Sequence, residues 1–446
     1  MMLITADDPR FDNARRAWDL TVDQHPVAVA LPRTAQELAA AVTHAVATGL
    51  QVAVQGTGHS AAALGSLDTA VLVKTTAMRG VTIAPAARLA RVEAGARWGE
   101  VVRAAAEHGL AALAGSSPDL GVAGYTLGGG LSSLSRRHGL AAHSVLAAEV
   151  VTATGRLLRV DARHEPELLW ALRGGGGSFA AVTALELRLI PFLGATAGLL
   201  CFPPERARDV LQTWRGWAAE MPEEMASCGR LLHLPPLPHL PGPMRDRSFA
   251  VIEAVHLGSA ADTDELLAPL RALGPVRDTV SRATALDLLT IHLDPPGPLP
   301  AVSDGVLLEE LPPEAIDALV SVARPRPGAP LLSVELRHLG GSLRRPASDA
   351  GALGTLDAAF LLTAAGIAAD TATAQAVRAQ IGQVQAALAP WRAPRDFANF
   401  QNRAQDAARL FPSQVLKRLR QVKQAYDPAG VFQASHPVTR GQSDQR

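Results

Sequence analysis

The chain has 446 residues, 48% of them hydrophobic, and its 42 Lys and Arg balance its 42 Asp and Glu. That length holds two or three domains and a large core, while the lack of a basic block or a long apolar run argues against nucleic acid and membrane as partners. The charged first twenty residues have no apolar signal core, so a cytoplasmic protein is expected, and Cys201 and Cys228, without metal-type spacing, are expected as reduced core thiols.

Residues 26–31 read as a short strand, and Pro32-Arg33-Thr34 opens a helix to about residue 48 with Leu38, Val42 and Val46 on its apolar side. A strand at 52–54 then breaks into Gln55-Gly56-Thr57-Gly58-His59-Ser60. Glycines after a strand let the backbone turn sharply and bring bare N–H groups to a phosphate. This is no Rossmann fingerprint, because Ala61-Ala62-Ala63-Leu64 meets Gly65 before a crossover helix can form. Strands at 70–74, 80–83 and 89–94 and an amphipathic helix at 98–107 follow.

A second glycine-rich segment runs from Gly115 through Gly121-Val122-Ala123-Gly124-Tyr125-Thr126-Leu127 to Gly128-Gly129-Gly130. So many glycines are not expected to form an ordinary helix or strand; they suit backbone laid flat against a large planar ligand. Strands at 146–152 and 157–160, a helix at 165–172, the cluster Gly174 to Gly177 and a strand at 182–189 complete an α+β block. Beyond Pro191 the glycine clusters stop. Strands at 249–256, 305–311 and 332–338 and helices at 205–219, 262–273, 313–323 and 374–388 predict a separate α+β domain.

Alternation along 332–338 places Ser333, Glu335 and Arg337 on one face and Val334, Leu336 and His338 on the other. The proline-rich stretches 234–243 and 295–300, with Leu237 and Leu240, read as loops at a pocket mouth and favour a bulky, fairly apolar substrate. Asp396-Phe397-Ala398-Asn399-Phe400, a helix at 412–425 and the turn Tyr426-Asp427-Pro428 form the tail.

These motifs in this order resemble the berberine bridge enzyme-like branch of the vanillyl-alcohol oxidase and p-cresol methylhydroxylase flavoproteins. The resemblance rests on Gly56-Thr57-Gly58-His59, Ala90-Arg91-Val92-Glu93-Ala94-Gly95, the stretch Gly121 to Gly130, Trp170-Ala171-Leu172-Arg173 with its four glycines, and Tyr426-Asp427-Pro428. It implies a two-lobed FAD domain of the p-cresol methylhydroxylase type at 20–194, a substrate domain at 195–394 with an antiparallel sheet, and a segment 395–440 returning to the FAD domain. It further implies FAD held by Gln55, Gly56, Thr57, Gly58, His59, Ser60, Ser117, Gly121, Val122, Gly124, Gly128, Gly129, Gly177, Val182 and Asn399, with no metal.

His59 is implied as the covalent link to the flavin 8α carbon. Ser117 stands where doubly linked relatives have cysteine, so one link is expected. The implied activity is that of an oxidase: hydride passes from a small organic substrate, a secondary metabolite, to flavin N5, and O₂ yields hydrogen peroxide. A dehydrogenase with another acceptor and a flavin protein without turnover are the alternatives. Gln55 replaces a common arginine, Ser178 and Ala180 a common Asn and Gly, His143-Ser144 an Asp-Asn, and Ser435-His436-Pro437 an Asn-Gln-Asn-like end. Phe400 stands near the usual tyrosine and cannot take a proton, which leaves Tyr125, Glu335 and His436 as the candidate catalytic residues.

Overall fold

The computed structural model describes residues 3–234, 245–324, 329–347 and 349–438. The chain folds into a mixed α+β architecture built on three main sheets. In the first, Leu3–Thr5, Ala28–Ala30, Ala70–Lys74, Gln51–Gln55 and Phe432–Gln433 lie side by side in that order. Every pair but the outermost is parallel, and parallel strands must be covered on both faces. Val52, Val71 and Val73 pack on Leu38 and Val42 of the helix Ala35–Ala47, while Ala53, Ala70 and Leu72 pack on Phe11 and Leu64. Val46, expected on the apolar side of that helix, is exposed. The helix starts where the Thr34 hydroxyl accepts the Glu37 N–H at 3.1 Å and the Glu37 carboxylate accepts the Arg33 N–H at 2.7 Å. Such a cap contributes about 1 kcal/mol.

The second sheet is antiparallel, in the order Val81–Ala84, Leu89–Glu93, Ala181–Arg188, Val145–Val151, Leu157–Asp161. Trp98, Leu168 and Leu419 carry the helices Trp98–Ala106, Pro166–Leu172 and Ser413–Tyr426 into its core.

The third sheet is antiparallel and eight-stranded. Its main order is Arg277–Asp278, Ala195–Phe202, Arg247–His256, Met225–Leu234, Ser333–His338, Phe360–Ile367, Ala301–Leu308. One face packs on four helices through Trp214, Leu267, Ile316 and Ile381. The other face turns toward the glycine-rich half, where Leu307 and Leu361 meet Leu131, Leu140 and Phe397. Two buried arginines tie the halves together through carbonyls. Arg136 donates to the carbonyls of Met225 at 2.8 Å, Met221 at 3.1 Å and Pro222 at 3.2 Å, and also to Leu339. Arg173 donates to Val145 at 2.8 Å and to the Asp349 carbonyl at 2.6 Å.

Several expectations need correction. The second glycine segment does contain a helix, Val122–Leu127. Only Gly124 lies inside it; Gly121 caps its start and Gly128 its end, so glycine's penalty falls once rather than throughout. The strands Ala195–Phe202, Met225–Leu234 and Phe360–Ile367 were not anticipated, since Ala195–Phe202 is buried at every position and shows no alternation to read. Leu237 and Leu240 lie outside the described residues. The 295–300 stretch packs on the N-terminal segment instead of standing free: Leu20 N–H donates to the Leu299 carbonyl at 3.0 Å and Leu299 N–H to Trp18 at 3.1 Å. Cys201 and Cys228 are free and buried. Among the described residues no helix is long and apolar enough to cross a membrane.

Candidate cofactor and substrate site

The loop after Gln51–Gln55 is shaped by steric necessity. Gly58 has φ +88°, and a Cβ there would lie 3.0 Å from Ala17 Cβ, so only glycine fits. Among the described residues the backbone N–H groups of Thr57, Gly58, His59 and Ser60 donate to no protein acceptor. A run of bare N–H groups at a strand end forms a nest that suits a diphosphate. Gln55, at the head of the loop, is buried and donates to Gln24 Oε1 at 3.0 Å, which leaves its own Oε1 without a partner. Lys74 sits opposite Gln55 in the ladder; burial lowers its pKa to about 8, and its ammonium donates to the Arg16 carbonyl.

His59 Nδ1 lies 2.7 Å from Thr57 Oγ1, and Trp18 stacks on the ring with centroids 4.1 Å apart. Nε2 is buried and has no partner. Burial, opposed by Asp119 and assisted by Arg97, lowers the imidazole pKa to about 4. The ring is therefore neutral at physiological pH and keeps a lone pair, as a nucleophile must.

The three glycine clusters converge on the helix Val122–Leu127. A Cβ on Gly121 would lie 3.2 Å from Thr57 Oγ1, and Gly176 N–H donates to the Leu127 carbonyl at 3.0 Å. Asn399 braces the far end: its Oδ1 accepts Gly130 N–H at 3.0 Å, and its Nδ2 donates to the Tyr125 carbonyl at 3.1 Å. It shapes the glycine segment by holding main chain. Gly128 and Gly129 pack under Asn399 and Phe397, Val122 and Val182 are core residues, and Ser117 Oγ accepts Asp119 N–H at 3.3 Å.

FAD fits this surface. Besides the bare N–H groups and His59 Nε2, Thr126 Oγ1 and Ser178 Oγ are buried without partners on the same segments. Gly124 and Gly177 are exposed, and a Cβ on either would meet nothing within 4 Å. Two glycines that the protein's own packing does not require mark where a ligand face needs flat backbone. Gly124→Ala and Gly177→Ala should each leave the thermal midpoint of flavin-free protein within about 2–4 °C, since surface changes are small. Both should lower the flavin retained after gel filtration; unchanged loading would place the cofactor elsewhere.

The candidate bases are all engaged. Tyr125 is buried edge-on to Trp98, its hydroxyl donates to the Leu113 carbonyl at 3.1 Å, and burial pushes its pKa well above the ordinary value. It is a packing residue under the glycine segment, so it does not suit the expected role of base. His436 is a clasp rather than a free tail residue. Its Nδ1 accepts Gln405 N–H at 3.3 Å, Nε2 donates to the Ala398 carbonyl at 3.2 Å, and burial lowers its pKa.

Glu335 lies on the expected face, opposite Val334 and Leu336, which pack on helices. Around it the sheet and the loop at 292 gather Arg230, Glu253, His292 and Arg337. Glu335 Oε1 accepts from Ser333 at 2.9 Å and His292 at 3.1 Å, and Oε2 from Arg337 at 3.0 Å and Thr363 at 3.2 Å. Arg230 stands 3.4 Å away. Burial works to raise the Glu335 pKa, but His292, Arg230 and Arg337 hold it well below the usual carboxylate range. A carboxylate with every lone-pair direction taken is an anchor, not the expected base.

His292 Nδ1 donates to Glu253 at 2.7 Å, and its Nε2 faces Glu335 at 3.1 Å, Arg337 Nη2 at 2.9 Å and Asp294 at 3.9 Å. Burial and Arg230 disfavour its protonation; Glu335 and Glu253 outweigh them and hold it up at about 9. Arg230, Glu253 and His292 were missed in the sequence because no motif spacing joins them. Their signal was a single charge at an inward position of an apolar strand, Arg230 among Leu231 and Leu232, Glu253 among Ile252 and Ala254. A cavity of about 870 Å³ lies on other residues, among them Pro203, His233, Arg247 and Phe249, and no glycine cluster contributes to it.

Residues 26–161 match the family described as FAD binding domain, and residues 396–439 match berberine and berberine like. The chain thus carries the two segments, an FAD binding domain and a berberine-like end, that are found in FAD-linked oxidoreductases. FAD is its cofactor. Over 98% of its length this flavoprotein is 26% identical to an uncharacterized FAD-linked oxidoreductase, YgaK, of Bacillus subtilis, covering 96% of that chain. It is 31% identical to (R)-6-hydroxynicotine oxidase of Paenarthrobacter nicotinovorans over 63% of its own length, and that match spans only 60% of the oxidase. The flavoprotein also shares its fold with 6-hydroxy-D-nicotine oxidase from Arthrobacter nicotinovorans, at TM-score 0.83 and 23% identity, over 97% of this chain and 96% of that one.

Proposed function

We propose that the protein is an oxidase of a small organic substrate and that His59 carries its FAD covalently. The observation behind this reading is the neutral, buried His59 with a free Nε2, set on a loop of bare N–H groups within the FAD-binding half. Bound there, FAD would supply two-electron redox chemistry: a hydride acceptor for the substrate C–H bond, with O₂ as the final acceptor of two electrons and two protons to give hydrogen peroxide.

The chain's own part is binding and orientation. The N–H groups of Thr57 to Ser60 hold the diphosphate without a basic side chain, and Thr57 and Trp18 fix the plane of the His59 ring. Asn399 keeps the Gly128–Gly130 backbone in place, where it would support the flavin. The charged face of the third sheet covers the substrate side. Because Tyr125, Glu335 and His436 are all committed to other bonds, the reaction is one in which none of them takes the substrate proton.

His59→Ala should abolish covalent flavin altogether while FAD still binds to the loop. After acid precipitation the yellow colour should stay with the parent pellet and pass to the supernatant of the variant. Free flavin from the parent, or a flavinylated peptide that lacks His59, would refute the linkage. The engaged bases also support a second reading, a flavin protein without turnover. Oxygen uptake with substrate separates an oxidase from a dehydrogenase, and anaerobic bleaching by any substrate excludes the second reading.

A further inference from the structure

The charged cluster on the third sheet leaves one of its cations partly open. Arg230, Arg337 and protonated His292 are three cations, and the buried carboxylates facing them are two, Glu253 and Glu335. Asp294 is the third acid of the cluster, 3.9 Å from His292, with its other oxygen accepting from Ser116 at 2.7 Å. Cys228, opposite both Arg337 and Glu253 in the ladders, is held in its neutral thiol form by burial.

The cations are unequally covered. The side chains of Arg230 and His292 are 3% and 2% exposed, and that of Arg337 is 20% exposed. Arg337 spends Nε and Nη2 on Glu335, with Nη2 also facing His292, and makes no hydrogen bond through Nη1 among the described residues. Its guanidinium lies over the Phe400 ring, 5.4 Å from the centroid. Phe400 is next to Asn399, which holds the Gly128–Gly130 backbone. Arg337 is thus anchored on one edge, stacked on one face, and open at one nitrogen.

We propose that Arg337 is the substrate-binding cation of this oxidoreductase, and that its free Nη1 takes an anionic oxygen, carboxylate or phenolate, of the molecule oxidised. This deepens the oxidase reading and rests on it for the word substrate alone. A guanidinium already locked by Glu335 and Phe400 loses little freedom on binding an anion through its open nitrogen. Glu335 is the positioning residue.

Calorimetric titration of the holoenzyme tests this with two pairs of probes: benzoate against benzamide, and 4-nitrophenolate against 4-nitroanisole. The parent should prefer the anion of at least one pair by at least about tenfold, the worth of one charged hydrogen bond. The pair that shows the preference tells carboxylate from phenolate. Arg337→Met should erase the preference. Arg337→Lys, which keeps a charge for Glu335 if the methionine variant does not fold, should reduce it, because lysine cannot hold Glu335 and a ligand at once. In the parent, the preference should also decline as pH rises through about 9 and His292 loses its proton. Equal binding of anions and neutral probes by the parent, or a preference intact in the lysine variant, overturns the proposal. Anion binding without any flavin bleaching would support it while refuting the oxidase reading, so the two fail separately.

Discussion

Glu335→Ala should destabilise the protein by about 3–5 kcal/mol, the loss seen when one member of a buried ionic network is removed and its partners stay behind. Arg230, Arg337 and His292 would remain beside a hole, with Glu253 left to balance them. Urea unfolding followed by far-UV circular dichroism measures this. Glu335→Gln keeps the volume and part of the bonding, so it should fall between parent and alanine. The network also sets a pH dependence. His292 is held up at about 9, so the stability it supplies is complete below its unfolded value near 6.5 and drains away as pH rises through about 9. That contribution is on the order of 3 kcal/mol and should disappear from the pH profile of His292→Gln. A Glu335→Gln protein that unfolds like the parent and loses only flavin reduction would instead restore Glu335 as the base.

Gly95→Ala should be comparably severe for a different reason. A Cβ at Gly95 would stand 1.8 Å from the Thr75 carbonyl oxygen, 2.6 Å from its carbon and 2.9 Å from the Met78 oxygen. These are main-chain atoms, so no side chain can swing aside. Gly95 N–H is itself bonded to the Met78 carbonyl at 2.8 Å, which pins the two loop segments at this approach. A loss of at least about 3 kcal/mol is expected, the upper range for overpacking. Flavin should be lost with it, since Thr75 Oγ1 lies 3.8 Å from where a Cβ on Gly56 would sit, directly behind the diphosphate loop. Thermal melts with and without added FAD check both halves; a folded, fully loaded Gly95→Ala protein would refute them.

The loop after Gln51–Gln55 is legible in the sequence because its features are local. Gln55 to Ser60 are consecutive, and the break from an apolar strand into glycines signals a nest whatever the rest of the chain does. The alternation of Ser333, Glu335 and Arg337 against Val334 and Leu336 was legible for the same reason. What stayed hidden was assembled at long range. Arg230, Glu253 and His292 reach Glu335 from two other strands and a loop, and nothing within a window of ten residues joins them. The direction of the Tyr125 hydroxyl is not legible in the sequence, because proximity to glycines does not fix it; it donates to the Leu113 carbonyl.

The strand Phe432–Gln433 pairs directly with Gln51–Gln55, and Asn399 fastens Gly130, so this part of the chain is closed by pieces made after the third sheet. A nascent polypeptide can fold its third sheet, complete by Ile367, while the flavin cradle still lacks both braces. Cofactor capture is therefore expected only after the third sheet has been made. Cells starved of riboflavin should accumulate a fully translated apoprotein, competent to be loaded afterwards, rather than fragments stalled during synthesis.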